Sequence, residues 1–252
     1  MGNETAGGAG VVSREGAAGA PPASARRPYQ SARRQERARQ TRAGICAAAA
    51  RQFLAAGYAG TTIKAVAAAA GVSVPTVEAA FGTKARLLKA VIDVATAGDD
   101  AAVAMLDRPW AARAEAAPDP EGFVAEFAAV LTASAERAAG LILAVLDAAQ
   151  PETAQPETAQ PGTTQRNGGQ RDAEIGAVAA QLAAQREVMA AWLVDGLQRR
   201  SALRGGLDRA EAVDTVWLLM DPAVFTRLTG ARGWTPARFS TWFTGAVLRL
   251  LI

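Results

Sequence analysis

The stretch that decides the fold runs from Thr62 to Phe81 and reads TIKAVAAAAGVSVPTVEAAF. Apolar residues recur at helical spacing on both sides of Gly71, and Ser73 stands where its hydroxyl can cap a second helix. Glycine adopts the left-handed backbone that a sharp turn requires. A short helix, a glycine turn and a second capped helix have the spacing of a helix-turn-helix. The residues predicted to form its small core are Val66, Val72, Val77 and Phe81.

Two further helices are predicted to flank this stretch. Ile45, Ala49 and Phe53 recur at every fourth position in a run that stops at Gly57. Another helix is predicted from Lys84, after a Gly-Thr turn. We therefore predict a compact helical domain over residues 34–97.

The chain on either side of this domain differs in composition. Residues 1–33 are rich in Gly, Ala, Pro and Ser, and we expect a disordered basic arm because they bury too little apolar surface to offset the cost of ordering. Residues 98–252 are predicted to form a second helical domain with a flexible polar linker at 151–171, which contains PETAQ twice. Its helices are predicted near 99–115, 121–149, 172–203, 208–229 and 236–251.

Composition favours an all-α protein and excludes several kinds of active site. About a quarter of the chain is alanine, a strong helix former, and only 6% is aromatic. Histidine is absent and Cys46 is the single cysteine, which removes His-dependent catalytic groups, most metal sites and internal disulfides. We expect no enzyme activity, no metal and no cofactor. Cys46 is interpreted as a small core residue, with redox sensing as the alternative.

The charge is unevenly distributed. Residues 1–97 carry 13 Lys and Arg against 5 Asp and Glu, whereas residues 98–252 carry 14 against 19. Between Arg26 and Arg51 only Glu36 opposes the arginines. This distribution indicates a polyanion-binding N-terminal part attached to an acidic body. The alternative is a solvated arginine-rich tail with no partner.

The sequence lacks the patterns of export or membrane insertion. Glu136 and Arg137 interrupt the best candidate for a membrane span, which needs roughly 18 apolar residues. Met1 to Ala25 contain no apolar signal-peptide core. We expect a soluble, cytoplasmic protein.

A longer run, FLAAGYAGTTIKAVAAAAGVSVPTVEAAFGTKARLL from Phe53 to Leu88, resembles the N-terminal domain of the TetR family of transcriptional regulators. The similarity covers residues 38–96, and Val213 to Ile252 is similar, more loosely, to the last two helices of many members. The matching elements are Phe53, Gly57-Tyr58, Thr61-Thr62, Ala67, Gly71-Val72-Ser73, Thr76, Phe81, Lys84 and Leu87-Leu88. The resemblance implies an all-α homodimer: a helix-turn-helix domain that binds a palindromic operator, followed by a helical-bundle domain for inducer binding and dimerisation.

The resemblance also implies residue roles. Thr76 and Lys84 match positions that contact the DNA backbone, Ser73 matches the cap of the recognition helix, and Thr62 matches the start of the preceding helix. The full predicted DNA-binding set is Arg39, Arg42, Thr62, Lys64, Ser73, Val74, Pro75, Thr76, Glu78, Ala79 and Lys84.

The recognition helix departs from the family where aromatic residues and a histidine usually precede the phenylalanine. Glu78, Ala79 and Ala80 stand there instead. Glu78 either accepts a hydrogen bond from N4 of a cytosine or remains a solvated or capping carboxylate, because a carboxylate beside a phosphate is repelled. We hypothesise that the arm from Arg26 to Arg42 supplies the missing phosphate contacts.

Two features of the second domain suggest binding surfaces. The candidate inducer-binding residues are Met189, Trp192, Trp217 and Met220, with core or dimer packing as the alternative. The last helix carries an apolar stripe of Phe239, Phe243, Val247 and Leu250. Its pairing with Val216 and Leu219 of a second subunit would give a four-helix dimer interface, and burial within one subunit is the alternative.

Together these patterns predict a dimeric, DNA-binding transcriptional regulator, most simply a repressor released by a small apolar inducer. One alternative is a protein of the same fold that has lost specific DNA binding and acts through ligand or protein contacts. The other is a sequence-independent DNA coater that depends on the arginine-rich arm.

Overall fold

The computed structural model describes the backbone of residues 26–150 and 165–252, and the side chains of residues 33–150 and 173–252. Every regular element in these ranges is a helix, which confirms the all-α prediction. The predicted arm up to residue 25 and the predicted linker from 151 to 164 lie outside the described residues. The structure does describe residues 26–33 of the predicted arm and residues 165–171 of the predicted linker, and both segments are helical.

The first four helices lie close to their predicted positions. A side-chain hydroxyl caps the N-terminus of the second, third and fourth helices. In each case the hydroxyl accepts a hydrogen bond from the backbone N–H three residues ahead, and the capping residues are Thr62, Ser73 and Thr83. Gly57 breaks the helical geometry near the end of the first, with φ at 66°. The helices are α1 (Arg26–Gly60), α2 (Ile63–Ala70), α3 (Val74–Phe81) and α4 (Lys84–Ala97).

The remaining helices start mostly at prolines. Proline occupies the first turn of four of them, where its missing N–H needs no partner and its fixed φ suits the helix. In chain order these elements are a 3₁₀ turn (Met105–Asp107), α5 (Pro109–Glu115), α6 (Pro120–Ala148), α7 (Gln165–Gln198), α8 (Arg209–Leu219), α9 (Pro222–Thr226), a π-helical turn (Arg227–Ala231) and α10 (Pro236–Leu251).

Three predicted helices differ in extent, and the one predicted near 172–203 spans Gln165–Gln198 instead. The helix predicted near 99–115 begins only at Pro109, because Asp99 turns its carboxylate onto the N–H of Ala101 and stabilises a non-helical segment. The helix predicted over 208–229 is interrupted after Leu219, where Asp221 caps a new helix that begins with Pro222.

The chain divides into two compact units, Met1–Gln40 and Thr41–Ile252. In the described part of the first unit, Glu36 pairs with Arg39 and accepts a hydrogen bond from Nε2 of Gln40 at 2.9 Å. These contacts are one helical turn apart and support the local helix only weakly.

Two apolar clusters form the core of the second unit. The first joins the helix-turn-helix to α4 and to parts of α6 and α7, and it includes Phe53, Val66, Val77, Phe81 and Leu88. Three of the four predicted core residues are buried there, whereas Val72 is only partly buried. The second cluster lies among α5 to α10 and is rich in aromatic rings.

The helix α6 is the central element of this packing. By length and composition alone α6 is apolar enough to cross a membrane despite Glu136 and Arg137, a test that the core helices of globular proteins also pass. It packs against α4, α5, α7, α9 and α10. At Gly196, α7 approaches α6 so closely that a Cβ there would lie 2.0 Å from Cζ of the buried Phe123. This close approach requires glycine.

The apolar stripe of α10 is used mostly within the subunit. Phe239, Phe243 and Val247 are at most 1% exposed, because α10 packs along α6. Val216 is likewise buried, whereas Leu250 remains 45% exposed. Burial within one subunit, the alternative considered above, therefore accounts for three of the four stripe residues.

Candidate nucleic-acid interface and adjoining cavity

The helix-turn-helix has the expected geometry. The axes of α2 and α3 differ in direction by 107°, within the range of about 90–120° typical of this motif. Gly71 adopts the left-handed conformation at φ 67° and ψ 29°. The N–H of Val72 then reaches the carbonyl of Ala67 at 3.0 Å, closing the end of α2. The turn therefore depends on the glycine at this position.

The α3 helix buries one face and exposes the other. Val77 and Phe81 anchor it in the core, while Pro75, Glu78 and Ala79 are exposed. The Glu78 carboxylate has no ion pair or side-chain hydrogen bond within the described part of the chain. The exposed face is thus small and apolar except for one carboxylate.

The start of α3 is fixed by two predicted contact residues. The Ser73 hydroxyl accepts a hydrogen bond from the N–H of Thr76 at 3.3 Å and lies 2.8 Å from Oγ1 of Thr76. Val74 and Thr76 are partly buried, and Thr62 caps α2 in the same way. Lys64, on α2, is exposed. Arg39, which is exposed, belongs to the first unit and pairs with Glu36.

Arg42 holds the end of α3. Its Nη1 donates a hydrogen bond to the carbonyl of Ala80 at 2.9 Å, and its guanidinium lies 4.2 Å above the Phe81 ring. Both contacts orient the last turn of the helix-turn-helix against α1. The sequence suggested a DNA contact for Arg42 but not this role.

Lys84 is bonded inside the domain. Its Nζ donates hydrogen bonds to the carbonyls of Tyr58 at 2.7 Å and Thr61 at 3.0 Å, and lies 4.1 Å from the Tyr58 ring centroid. Thr61 is buried and donates to the carbonyl of Gly57 at 2.8 Å. Tyr58 and Thr61, although part of the sequence resemblance, were not predicted as partners of Lys84. These bonds join the turn after α1 to the start of α4.

A cavity of about 980 Å³ lies beside this domain, near the upper end of the range typical of small-molecule sites. Its wall is formed by Arg42 and Cys46 of α1, by α4 and the segment up to Leu106, by parts of α6 and α7, and by Met220 and Pro222. The apolar lining includes Phe127, Leu131, Ile142, Leu146 and Met189. The cavity thus touches both the helix-turn-helix domain and the second domain.

The structure separates the four candidate inducer-binding residues into two pairs. Met189 and Met220 line the cavity. Trp192 instead packs in the second cluster, 5.2 Å from Trp110 and 5.1 Å from Phe123 between ring centroids. Trp217 lies under the Arg186 guanidinium at 3.6 Å, and its Nε1 donates to the carbonyl of Ala183 at 3.4 Å. Neither tryptophan is part of the wall.

Cys46 has the environment of an unreactive thiol. It is 7% exposed, and burial raises its pKa, an effect that the nearby Arg42 only partly opposes. Because the thiolate is the nucleophilic form, the raised pKa favours the predicted core role over redox sensing. In the described ranges, no three His, Cys, Asp or Glu side chains are grouped to hold a metal ion.

Comparison with known proteins confirms the predicted resemblance. The model of a family described as bacterial regulatory proteins, tetR family, matches residues 45–91. No curated protein matches the sequence significantly. The matched family is one of regulators, consistent with the expectation that the chain is not an enzyme.

Solved structures share the fold at low sequence identity. A protein described as a TetR-family transcriptional regulator from Mesorhizobium loti is 20% identical, with 85% of this chain and 96% of that chain covered and a TM-score of 0.52. NalD of Pseudomonas aeruginosa, the secondary repressor of the MexAB-OprM multidrug efflux pump, is 17% identical, with coverages of 85% and 97% and a TM-score of 0.53. A transcriptional regulator of a Rhodococcus species is 15% identical, with coverages of 83% and 95% and a TM-score of 0.52.

Proposed function

We propose that this chain, which carries a TetR-type domain and shares the fold of TetR-family regulators, is a DNA-binding transcriptional repressor released by a small apolar molecule. The observation that carries the proposal is the position of Arg42, which holds the last turn of α3 and also forms part of the cavity wall. A molecule in the cavity would therefore contact a residue that orients the recognition helix.

DNA is proposed to bind along the exposed side of α2 and α3. The α3 helix would enter the major groove with Pro75, Glu78 and Ala79 toward the base edges. Thr62, Lys64, Ser73, Val74 and Thr76 lie on the same motif and would approach the backbone. Arg39 would add a phosphate contact from the arm. Lys84 would attract phosphate through its charge while its hydrogen bonds keep the motif assembled.

The release mechanism is proposed to be a shift between two positions of α4. Lys89, Ala90 and Asp93 of α4 line the cavity, while Ala85 and Leu88 of the same helix pack against the helix-turn-helix core. Arg137 also ties the end of α4 to α6, through hydrogen bonds to the carbonyls of Ala95 at 2.7 Å and Thr96 at 3.1 Å. A ligand that binds one position of α4 more tightly would change the population that fits the operator.

A dimer is proposed through the outer surfaces of α8 and α10. Leu218 of α8 is 60% exposed, and Leu250 and Ile252 at the chain end are 45% and 37% exposed. Leu219, Trp242 and Leu248 are partly buried beside them. Burial of such apolar side chains against a second copy would place two recognition helices on a palindromic operator. We also propose a cytoplasmic location, where such an operator is available.

The experiment begins by selecting high-affinity duplexes from a random library with the full-length chain. The selected duplex, a scrambled duplex and the duplex with one half-site destroyed are then compared by fluorescence anisotropy at two salt concentrations. Specific, two-site binding supports the proposal, and equal affinity for all three duplexes supports the sequence-independent coater instead.

A second experiment tests the arm. Deletion of residues 1–37 is expected to lower the operator affinity and the dependence of that affinity on salt concentration. An unchanged salt dependence would contradict the role of the arm.

A second candidate function follows from the exposed α3 face. Glu78, which has no ion pair among the described residues, presents its carboxylate where a phosphate or base must approach, and Lys84 donates to internal carbonyls. A protein that uses this fold for ligand or protein contacts without DNA is therefore the alternative. Absence of any enriched duplex and of salt-sensitive binding would select it.

A further inference from the structure

An exposed row of residues runs along α3 and continues past its end. Pro75, Glu78, Ala79 and Gly82 are all exposed, and their spacing places them on one side of a helix. The N–H of Gly82 donates to the carbonyl of Glu78 at 2.7 Å, so Gly82 lies one helical turn beyond Glu78. Gly82 is therefore the last position of the face proposed to meet DNA.

Arg86 of α4 lies against this last position. A Cβ at Gly82 would lie 3.7 Å from Nη1 and 3.8 Å from Cδ of Arg86, so the arginine side chain runs beside Gly82 at van der Waals spacing. Arg86 is exposed, and its guanidinium makes no ion pair or hydrogen bond within the described residues. The guanidinium thus extends the exposed face of α3 and keeps its N–H donors available.

Other cations near this face are already in use inside the domain. Arg42 donates to the carbonyl of Ala80, and Lys84 donates to two carbonyls of the turn after α1. Lys89 pairs with Asp93. A phosphate would compete with these contacts for the same N–H groups. Arg86 could bond a phosphate without breaking any contact within the described part of the chain.

We propose that Arg86 binds a backbone phosphate of duplex DNA at the end of α3. A planar guanidinium can donate two parallel hydrogen bonds to phosphate oxygens. Because the N-terminal residues of a recognition helix contact the base edges, the opposite end beside Gly82 lies toward the backbone at the edge of the groove. The positive charge also offsets the repulsion that Glu78, one turn away, exerts on DNA. The inference rests on the proposed DNA binding and assigns to Arg86 a contact that the sequence did not indicate.

The salt dependence of binding measures this contact. Full-length wild type and Arg86→Gln are titrated by fluorescence anisotropy, at several salt concentrations, with the selected duplex and with the scrambled duplex. Loss of one phosphate contact lowers the slope of log affinity against log salt concentration by about 0.9. We expect Arg86→Gln to lower the slope by about this amount for each bound subunit, on both duplexes, because a phosphate carries no sequence information. An unchanged slope, or a loss of affinity confined to the selected duplex, would overturn the proposal.

Two matched variants separate a local contact from net charge. Arg86→Lys keeps the cation and should recover most of the slope. Arg232→Gln removes the same charge from an exposed arginine before α10, outside the helix-turn-helix domain, and should leave the slope unchanged. An equal reduction by Arg232→Gln would overturn the contact, since only net charge would then matter.

The thermal midpoint separates binding from folding. Because the Arg86 side chain has no partner within the described residues, Arg86→Gln should keep the wild-type midpoint. A lowered midpoint, with affinity restored at a temperature where both proteins are folded, would assign the loss to folding and overturn the proposal.

The two duplexes separate this inference from the proposed function. If no duplex is bound better than the scrambled one, yet Arg86→Gln still lowers the slope, the specific regulator fails and the phosphate contact stands. If a specific operator is found and the slope of Arg86→Gln is unchanged, only the phosphate contact fails. Absence of salt-sensitive binding to any duplex would overturn both.

Discussion

Arg42 of α1 donates a hydrogen bond from Nη1 to the carbonyl oxygen of Ala80, the second-last residue of α3, at 2.9 Å. The two residues are 38 positions apart, so the bond fixes the end of the exposed helix to a distant part of the chain. The same arginine lines the cavity. This single side chain therefore connects the surface proposed to contact DNA with the space proposed to hold a ligand.

Replacement of Arg42 tests this connection. Arg42→Met keeps a long apolar stem but removes the hydrogen bond and the contact with the Phe81 ring, at a cost of about 1–2 kcal/mol of stability. We expect a lower thermal midpoint and a several-fold weaker operator affinity, measured by calorimetry and anisotropy. Arg51→Met, an exposed position on the same helix, is the control and should change neither. An Arg42→Met protein with both quantities unchanged would show that the bond does not orient α3.

Glu78 is the one charge on the exposed face of α3, and its neutralisation tests what the carboxylate does. Glu78→Gln should increase affinity for unrelated duplex DNA several-fold, because repulsion between carboxylate and phosphate is removed. The measurement is anisotropy at low salt, with Glu121→Gln on α6 as the control. A selective loss of affinity for operators that carry one particular cytosine would instead mean that Glu78 accepts a hydrogen bond from its N4.

Two glycines of α7 should respond to alanine in opposite directions. Gly196→Ala places a Cβ against the buried Phe123 ring, and we expect a loss of about 1–3 kcal/mol from overpacking. Gly176→Ala meets no atom within 4 Å and should gain about 0.5–1 kcal/mol from helix propensity. Urea denaturation gives both free energies of unfolding. Equal effects at the two positions would contradict the close approach of α6 and α7.

The ion pair between Asp99 and Arg108 should make stability depend on pH in acid. The hydrogen bonds from Arg108 lower the pKa of Asp99 to about 2, against an ordinary value of 3.8. The folded protein therefore holds this proton less tightly than the unfolded chain does. The stabilisation is complete above pH 4 or so and is lost as the pH falls toward about 2.

Asp99→Asn removes this titration. The difference in urea midpoint between wild type and Asp99→Asn should therefore shrink as the pH is lowered from neutral to about 2. Asp107→Asn, at an exposed carboxylate of the same segment, is the control. A difference that stays constant with pH would exclude an energetic role for the pair.

Local features of the fold were predictable from the sequence. The caps at Thr62 and Ser73 and the turn at Gly71 depend on neighbours within a few residues, whose chemistry the sequence displays directly. The helical spacing of Val66 and Val77 likewise predicted which face of each helix is buried. The helix predicted near 99–115 was wrong because alanine-rich sequence favours a helix wherever no partner competes, and here Asp99 and Pro109 compete.

The contacts that define the candidate site were less predictable because they join distant residues. Lys84 and Tyr58 are 26 positions apart, and no local pattern marks the Tyr58 carbonyl as an acceptor. Met189 and Trp192 stand one helical turn apart with similar apolar character, yet only Met189 reaches the cavity. Which of them does so depends on the packing of α5 and α6 against α7, which periodicity does not encode.

The most direct test of the central claim measures operator affinity with the cavity open and with the cavity filled by mutation. Ala135→Phe fills the cavity wall on α6, and Ala129→Phe on the exposed side of α6 is its control. Wild type and both variants are titrated with the selected operator duplex in the presence and absence of butyl phenyl ketone, a small and mainly apolar probe. We expect the ketone to weaken operator binding of wild type and of Ala129→Phe but not of Ala135→Phe. Operator binding that is insensitive to the ketone in wild type, or equally sensitive in all three proteins, would contradict control of the recognition helix through this cavity.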